Sequence, residues 1–189
     1  MQAVVLGNSP VRLWGLTPAE RVARQLRKEG VAVCQGNAPA LPPESMLLVL
    51  RGDCLYDDRV IRGLVGAPRV VLEVDDAGVA FPAAAHVSAR DAPAVGEYLR
   101  GGRLSPDAKD VSKVALAQLA QGFESGLRKL DRPYVLRVTA ERREELEQLA
   151  FSGAYKGVTD LVTKWLWPAP AQMVTRWCVR WGIRASVPR

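Results

Sequence analysis

A carboxylate at the end of a buried strand is the first group in this sequence that could do chemistry. Residues 46–50 form a continuous apolar run, and Arg51-Gly52-Asp53 follows the run directly. Such a run is typical of a strand buried on both faces, and ligands in open α/β sheets collect at the carboxyl ends of strands. We therefore expect Asp53 to contact a ligand or a metal ion. The alternative is that an aspartate here only caps the helix that starts near Asp58.

The other reactive side chains do not form a recognisable catalytic set. His86 is the only histidine and stands between two apolar residues, so we expect a structural or surface role for it. Cys34, Cys54 and Cys178 follow no metal-ligand spacing, and the nucleophile motif G-x-S-x-G is absent. The sequence therefore gives no support for hydrolase chemistry. Free thiols fit a reduced cytoplasmic setting.

Alternating strand and helix patterns must position these residues. An apolar content of 48% with 24% charged residues indicates a globular chain. Helices are expected after Thr17, which has the pattern of a helix cap, and over 58–65, 91–99, 107–123 and from 139 past 149. Strands are expected over 3–7, 31–34, 46–50, 70–74 and 134–138, with weak strands near 79–81 and 86–87. This order predicts an α/β fold with a mostly parallel sheet and flanking helices.

The positive charge of the chain is concentrated in its last part. The formal charge is +6, and the stretch from Phe151 onward contains six basic residues and one acidic residue, Asp160. Four of the five tryptophans lie in the same stretch. We therefore divide the chain into an α/β body, residues 1–150, and a basic tail, residues 151–189.

The tail has the pattern of two amphipathic helices separated by Pro168 and Pro170. Tryptophan on the apolar side with basic residues on the polar side is typical of a helix that lies in a membrane interface. The alternative is an ordinary amphipathic helix packed on the body or on a dimer partner. No run is long enough to span a bilayer. The residues expected to contact an anionic membrane surface are Lys156, Lys164, Trp165, Trp167, Arg176, Trp177, Arg180 and Trp181.

The body resembles a sugar-phosphate type nucleotidyltransferase, a GT-A-like fold related to Rossmann domains. The residues that carry this likeness are the first strand, the stretch Arg12 to Val22, and Leu47 to Asp53. The resemblance implies a Rossmann-like sheet in which the aspartate after the third strand helps to hold Mg²⁺ on a nucleotide. It implies that Asp53 is the carboxylate that binds the metal, with Asp57 as a weaker candidate. Arg12 is the residue expected to bind a phosphate.

The body departs from that family at its phosphate loop. The family has a glycine-rich loop whose backbone N–H groups surround phosphates. Here the stretch between Leu6 and Leu13 contains one glycine and a proline, which has no N–H. This loop cannot form the usual anion-binding nest.

The tail resembles the cytoplasmic lead-in of CDP-alcohol phosphotransferases, in particular those fused to an N-terminal cytidylyltransferase domain. The likeness covers Tyr155 to Pro168 and Val174 to Ile183. The family's membrane motif, D-x-x-D-G-x-x-A-R followed by G-x-x-x-D-x-x-x-D, is absent from these 189 residues. The resemblance implies a nucleotidyltransferase-like portion that is not catalytic by itself, binds a CDP-alcohol or nucleoside triphosphate, and lies at the inner membrane face.

Two other functions stay open. One is an active Mg²⁺-dependent nucleotidyltransferase of the cytidylyltransferase type, acting on a phosphorylated alcohol through Asp53. The other is a basic nucleic-acid-binding module, suggested by the pI of about 9.5. The nucleic-acid hypothesis is disfavoured because the tail tryptophans fall on apolar helix faces. Formation of a homodimer by this chain stays open as well.

Overall fold

The computed structural model describes residues 1–35, 41–106, 108, 111–120, 123–124, 129–130, 132–154 and 168–181. Within these residues the chain has an α/β fold with a mixed six-stranded sheet and six helices. The strands are β1 (Gln2–Leu6), β2 (Ala32–Gln35), β3 (Met46–Arg51), β4 (Cys54–Tyr56), β5 (Val70–Asp76), β6 (Val79–Ser88), β7 (Ser112–Ala115), β8 (Phe123–Glu124), β9 (Lys129–Leu130) and β10 (Val135–Arg137). The helices are α1 (Pro18–Lys28), α2 (Asp58–Gly66), α3 (Ala92–Leu99), α4 (Leu116–Leu119), α5 (Arg143–Ala154) and α6 (Pro168–Arg180).

The central sheet has the order β2-β1-β3-β6-β5-β7 and is mixed rather than mostly parallel. The β1–β2, β1–β3 and β5–β7 pairs are parallel, whereas β6 runs antiparallel to both β3 and β5. The antiparallel strand follows from the turn after β5, where Ala77 and Gly78 have φ angles of 56° and 83°. Two positive φ angles in a two-residue loop are typical of a tight hairpin, and a hairpin makes the strands antiparallel.

Two sequence predictions were wrong in this region. The two weak strands near 79–81 and 86–87 belong to one ten-residue strand, β6. The helix predicted over 107–123 was wrong, because residues 112–115 form strand β7, which pairs in parallel with β5 from Val70 to Glu73, and among the described residues of this stretch only Leu116–Leu119 are helical. The spacing of Val111, Val114 and Leu116 also suits a helix. Residues 112–115 are extended because their backbone groups pair with those of β5.

The core lies on both faces of the sheet, and β3 runs through its centre. Leu48 and Leu50 pack with residues of α1 and α2 on one face, and Leu47 and Val49 pack with residues of α3 on the other. These four β3 side chains are at most 2% exposed. The prediction of a strand buried on both faces is therefore confirmed.

The tail is described only in part. Helix α6 begins at Pro168, and both prolines of the pattern lie in its first turn, where the missing N–H is tolerated. The first predicted tail helix, over 155–166, lies outside the described residues. Helix α5 extends across residue 150, and the division into body and tail stays a prediction.

Candidate anion-binding cleft

The connections of the sheet reverse direction between β1 and β3. From β1 the chain passes through α1 to β2 on one side, whereas β3 lies on the other side of β1. Ligands of open α/β sheets bind in the crevice outside the carboxyl ends of the strands at such a switch point. In this chain Gly7-Asn8 and Gly52-Asp53 occupy that position.

The two strand ends approach each other closely at Gly52. Its N–H donates a 2.7 Å hydrogen bond to the Leu6 carbonyl. A Cβ atom placed on Gly52 would lie 2.3 Å from the Gly7 carbonyl oxygen and 2.8 Å from Val5 Cγ1. Only glycine fits at this position without a shift of the backbone.

A cleft of about 530 Å³ opens beside the carboxyl end of β1. Its apolar wall comes from β1, β2 and α1, namely Val5, Leu6, Ala19, Ala23 and Val33. The other lining residues that the structure describes are Gly7, Asn8, Arg12, Thr17, Glu20 and Arg100. Among the described residues, two arginines and one glutamate therefore line this space, and the sum of their charges is positive.

A tight turn positions Arg12. Leu13 and Leu16 exchange backbone hydrogen bonds of 2.9 and 3.2 Å across Trp14 and Gly15, which have φ angles of 50° and 79°. Arg12 Nη1 donates to the Gly15 carbonyl at 2.9 Å. The turn thus holds the guanidinium group of a side chain that is 54% exposed at the cleft.

Trp14 anchors the same turn to helix α5. Its indole Nε1 donates to the Glu147 carbonyl at 2.7 Å, and its backbone N–H donates to Glu147 Oε1 at 3.3 Å. Its ring lies 5.4 Å from the ring of Phe151, centroid to centroid. The turn that carries Arg12 is consequently fixed by residues far away in the sequence.

The start of α1 forms the wall next to Arg12. Thr17 Oγ1 accepts the Glu20 N–H at 3.2 Å, and Glu20 Oε2 accepts the Thr17 N–H at 2.8 Å. This reciprocal pair is the capping box that the sequence predicted after Thr17. It also holds the Glu20 carboxylate 3.7 Å from Arg12 Nη1.

Arg100 reaches the cleft from the opposite face of the sheet, directly after α3. Gly96 lies near both the end of β1 and this guanidinium: a Cβ built on it would be in ordinary van der Waals contact with Leu6 Cδ1, at 3.6 Å, and with Arg100 Nη1, at 3.7 Å. Arg100 Nη1 donates to Glu97 Oε1 at 2.9 Å, and both side chains are more than half exposed. The sequence analysis missed Arg100, because nothing in its local pattern shows that α3 ends beside β1.

Asp53 follows β3 as predicted, but its carboxylate is paired with Arg51 and does not line the cleft. Arg51 Nε and Nη2 donate to its two oxygens at 2.9 and 2.5 Å, and Arg51 Nη1 donates to the Leu99 carbonyl at 2.9 Å. Burial raises the pKa of Asp53, but the hydrogen bonds and charge of Arg51 outweigh burial and hold that pKa below its usual value.

Asp57 has the capping role that was the alternative reading for Asp53. Its Oδ1 accepts the Arg59 N–H at 2.9 Å at the start of α2, and the Arg59 guanidinium binds both carboxylate oxygens at 3.0 and 2.7 Å. The side chain is only 8% exposed.

The two predicted metal carboxylates do not fit a ready magnesium site. Each already accepts two hydrogen bonds from an arginine two residues away in the sequence, and either would have to leave that arginine to bind an ion. Among the residues that the structure describes, no three His, Cys, Asp or Glu side chains are grouped for metal binding. The metal role of Asp53 and Asp57 therefore stays a prediction.

Neither the comparison with protein-family models nor the search of curated proteins finds a match for this chain. The family resemblances therefore rest on the residues quoted above alone.

Helix α6 exposes an apolar side with two of the predicted basic residues beside it. Trp177 and Trp181 are 57% and 70% exposed, with ring centroids 5.6 Å apart. Arg176 and Arg180 are exposed on the same helix, and the Arg176 guanidinium lies 5.9 Å from the centroid of the Trp14 ring. Lys156, Lys164, Trp165 and Trp167 lie outside the described residues. In the described part of the chain, no helix is long and apolar enough to cross a membrane.

Proposed function

We propose that this chain is the cytoplasmic, nucleotidyltransferase-like portion of a CDP-alcohol phosphotransferase that acts in phospholipid or inositol-phosphate biosynthesis. In this proposal the body has a Rossmann-like fold of the GT-A type and binds a nucleotide or a phosphorylated alcohol. The chain is not catalytic by itself, because it lacks the aspartate motif that does the chemistry in that family. Its tail lies on the anionic inner face of the membrane.

The cleft beside β1 carries this proposal. It lies at the switch point of the sheet, where α/β folds bind their ligands, and two guanidinium groups line it. Arginine binds phosphate through directed, charge-assisted hydrogen bonds. A ligand with phosphate groups is therefore the chemical class that the cleft favours.

Titration of the chain with a cytidine nucleotide, CTP or CDP, tests the nucleotide-binding part. We expect saturable binding by calorimetry that is lost in Arg12→Gln and retained in Arg27→Gln, a matched change at an exposed position of α1 outside the cleft. Absence of binding by CTP, CDP and a CDP-alcohol would contradict this part of the proposal.

The exposed side of α6 supports the membrane part. Met173, Val174, Trp177 and Trp181 are each more than half exposed, and arginines lie next to them. Tryptophan prefers the headgroup region, and arginine is attracted to anionic lipid.

Flotation with vesicles tests this part. We expect the chain to float with vesicles rich in phosphatidylglycerol, and the double variant W177A/W181A to remain largely in solution. Vesicles of phosphatidylcholine alone should bind it much less. Equal recovery of the chain and the double variant from anionic vesicles would count against the membrane role of α6.

An active nucleotidyltransferase remains a second candidate, because Asp53 lies at the switch point directly after β3. This candidate requires metal-dependent release of pyrophosphate from a nucleoside triphosphate, abolished in Asp53→Asn. A rate that is the same in the variant would remove Asp53 from the chemistry.

A further inference from the structure

We propose that the cleft binds a phosphate monoester without a metal ion, clamped between Arg12 and Arg100, and that Glu20 competes with this ligand for Arg12. The inference rests on the proposed phosphate-binding role of the cleft. It goes further by choosing the phosphate monoester over the nucleotide, by excluding a metal ion from its binding and by naming an internal competitor.

The two arginines reach the cleft from opposite faces of the sheet. Arg12 comes from the turn before α1, and Arg100 comes from the end of α3 on the other face. Arg100 lies near the carboxyl end of β1, since a Cβ built on Gly96 would be in van der Waals contact with both Leu6 Cδ1 and Arg100 Nη1.

The present ion pairs of the two arginines can be exchanged for a phosphate. Arg12 is 3.7 Å from Glu20, and Arg100 is 2.9 Å from Glu97, with all four side chains between 43% and 72% exposed. Exposed pairs of this kind contribute little to stability. A phosphate dianion held by two guanidinium groups would form stronger, charge-assisted hydrogen bonds.

The carboxylates near the cleft are engaged in ways that do not favour a metal ion. Glu20 is the only carboxylate among the described lining residues, and its Oε2 accepts the Thr17 N–H in the capping box. Asp53 and Asp57 are each bound by their own arginine. Positive side chains, rather than a metal ion, are therefore available to neutralise a phosphate.

Glu20 also gives the proposal its sharpest test, because its charge can be removed while the cap is kept. Glutamine serves as well as glutamate at the third position of a capping box, since its side-chain oxygen accepts the same N–H. In Glu20→Gln, Arg12 loses its competing anion and the repulsion of a phosphate disappears. We expect tighter phosphate binding at an unchanged melting temperature.

The experiment is calorimetric titration of the full chain with glycerol 1-phosphate and with inorganic phosphate, each in EDTA and in Mg²⁺. We expect glycerol 1-phosphate to bind equally well in both buffers. Arg12→Gln and Arg100→Gln should each weaken it about tenfold or more, the loss expected for a charge-assisted hydrogen bond. Glu20→Gln should strengthen it about threefold to tenfold. Arg27→Gln, at an exposed position of α1 outside the cleft, is the control and should leave the affinity unchanged.

The outcomes separate this inference from the proposed function. Binding of CTP or CDP without binding of glycerol 1-phosphate would overturn the inference and leave the proposed function intact. Binding of the monoester without any nucleotide or CDP-alcohol would support the inference and contradict the nucleotide-binding part of the proposal. Binding that requires Mg²⁺, or that is indifferent to Arg100→Gln in a variant with the native melting temperature, would also overturn the inference.

Discussion

Replacing Gly52 by alanine should disturb the point where the carboxyl ends of β1 and β3 meet. The new Cβ would lie 2.3 Å from the Gly7 carbonyl oxygen and 2.8 Å from Val5 Cγ1. The first contact is with backbone, which cannot turn away as a flexible side chain would. The strand ends must therefore separate, and the 2.7 Å hydrogen bond from Gly52 N–H to the Leu6 carbonyl will lengthen or break.

The size of the effect follows from these two contacts. Overpacking a tight site costs about 1–3 kcal/mol, and losing a backbone hydrogen bond costs about 1 kcal/mol. We therefore expect the free energy of unfolding to fall by about 2–4 kcal/mol. For a chain of this size each kcal/mol lowers the melting temperature by about 2–4 °C, so the shift should be on the order of 10 °C.

Urea and thermal unfolding followed by circular dichroism measure this loss, with Gly66→Ala as the matched control. Gly66 is the last residue of α2, and a Cβ there meets no atom within 4 Å. Alanine is the better helix former, so the control should be neutral or more stable by up to about 1 kcal/mol. If G52A and G66A unfold at the same urea concentration, the close approach of β1 and β3 is not a constraint on this fold.

Three further predictions concern groups outside the cleft. His86 is 2% exposed, and its Nδ1 lies 2.8 Å from the Leu64 carbonyl oxygen. Desolvation lowers the pKa of His86, so the imidazole is neutral in the folded state. Below a pH of about 6.5 the unfolded chain binds a proton at His86 that the folded chain does not bind, so the free energy of unfolding should fall as the pH drops. The urea midpoints at pH 7.5 and pH 5.5 should therefore differ less in His86→Gln than in the original chain. Burial raises the pKa of the Cys54 thiol, whereas Cys34 and Cys178 are partly exposed. A thiol reagent should therefore modify Cys34 and Cys178 in the folded chain and reach Cys54 only after unfolding. Equal rates of modification at all three cysteines would contradict the burial of Cys54. Trp14→Phe removes the hydrogen bond to the Glu147 carbonyl and should cost about 1 kcal/mol in urea unfolding, whereas an unchanged midpoint would mean that this bond does not hold the turn.

The order of strands and helices in the body could largely be read from the sequence, because local signals specify it. The capping box at Thr17 and Glu20 and the continuous apolar run of β3 are patterns of a few consecutive residues. The antiparallel strand β6 was misread because the sequence does not show which neighbour a strand pairs with. Strand β7 was missed for the same reason, since its pairing with β5 is decided by a backbone edge about 40 residues away.

The candidate site was only half predictable for a related physical reason. Arg12 stands in a motif, and the resemblance pointed to it. Arg100 becomes part of the cleft because α3 packs on the other face of the sheet and ends beside β1. The pairing of Asp53 with Arg51 joins the turn after β3 to the last residue of that strand, and the alternation of side chains within a strand does not predict it.

The missing glycine-rich loop changes where an anion would find positive charge in this sheet. In the family that the body resembles, backbone N–H groups of a loop and the start of a helix surround the phosphates. Here the capping box engages the N–H groups of Thr17 and Glu20, Pro18 has no N–H, and Glu20 adds a negative charge at the same place. The helix terminus is therefore a poor anion site, and the charge must come from side chains that fold around the strand end, Arg12 from one face and Arg100 from the other.

Guanidinium groups on flexible stems depend less on the backbone geometry of the loop than a nest does. A substitution that loosens the turn while retaining Arg12, such as Trp14→Phe, should therefore weaken phosphate binding far less than Arg12→Gln. Equal losses of affinity in the two variants would show that the turn itself, and not the side chain that it carries, forms the site.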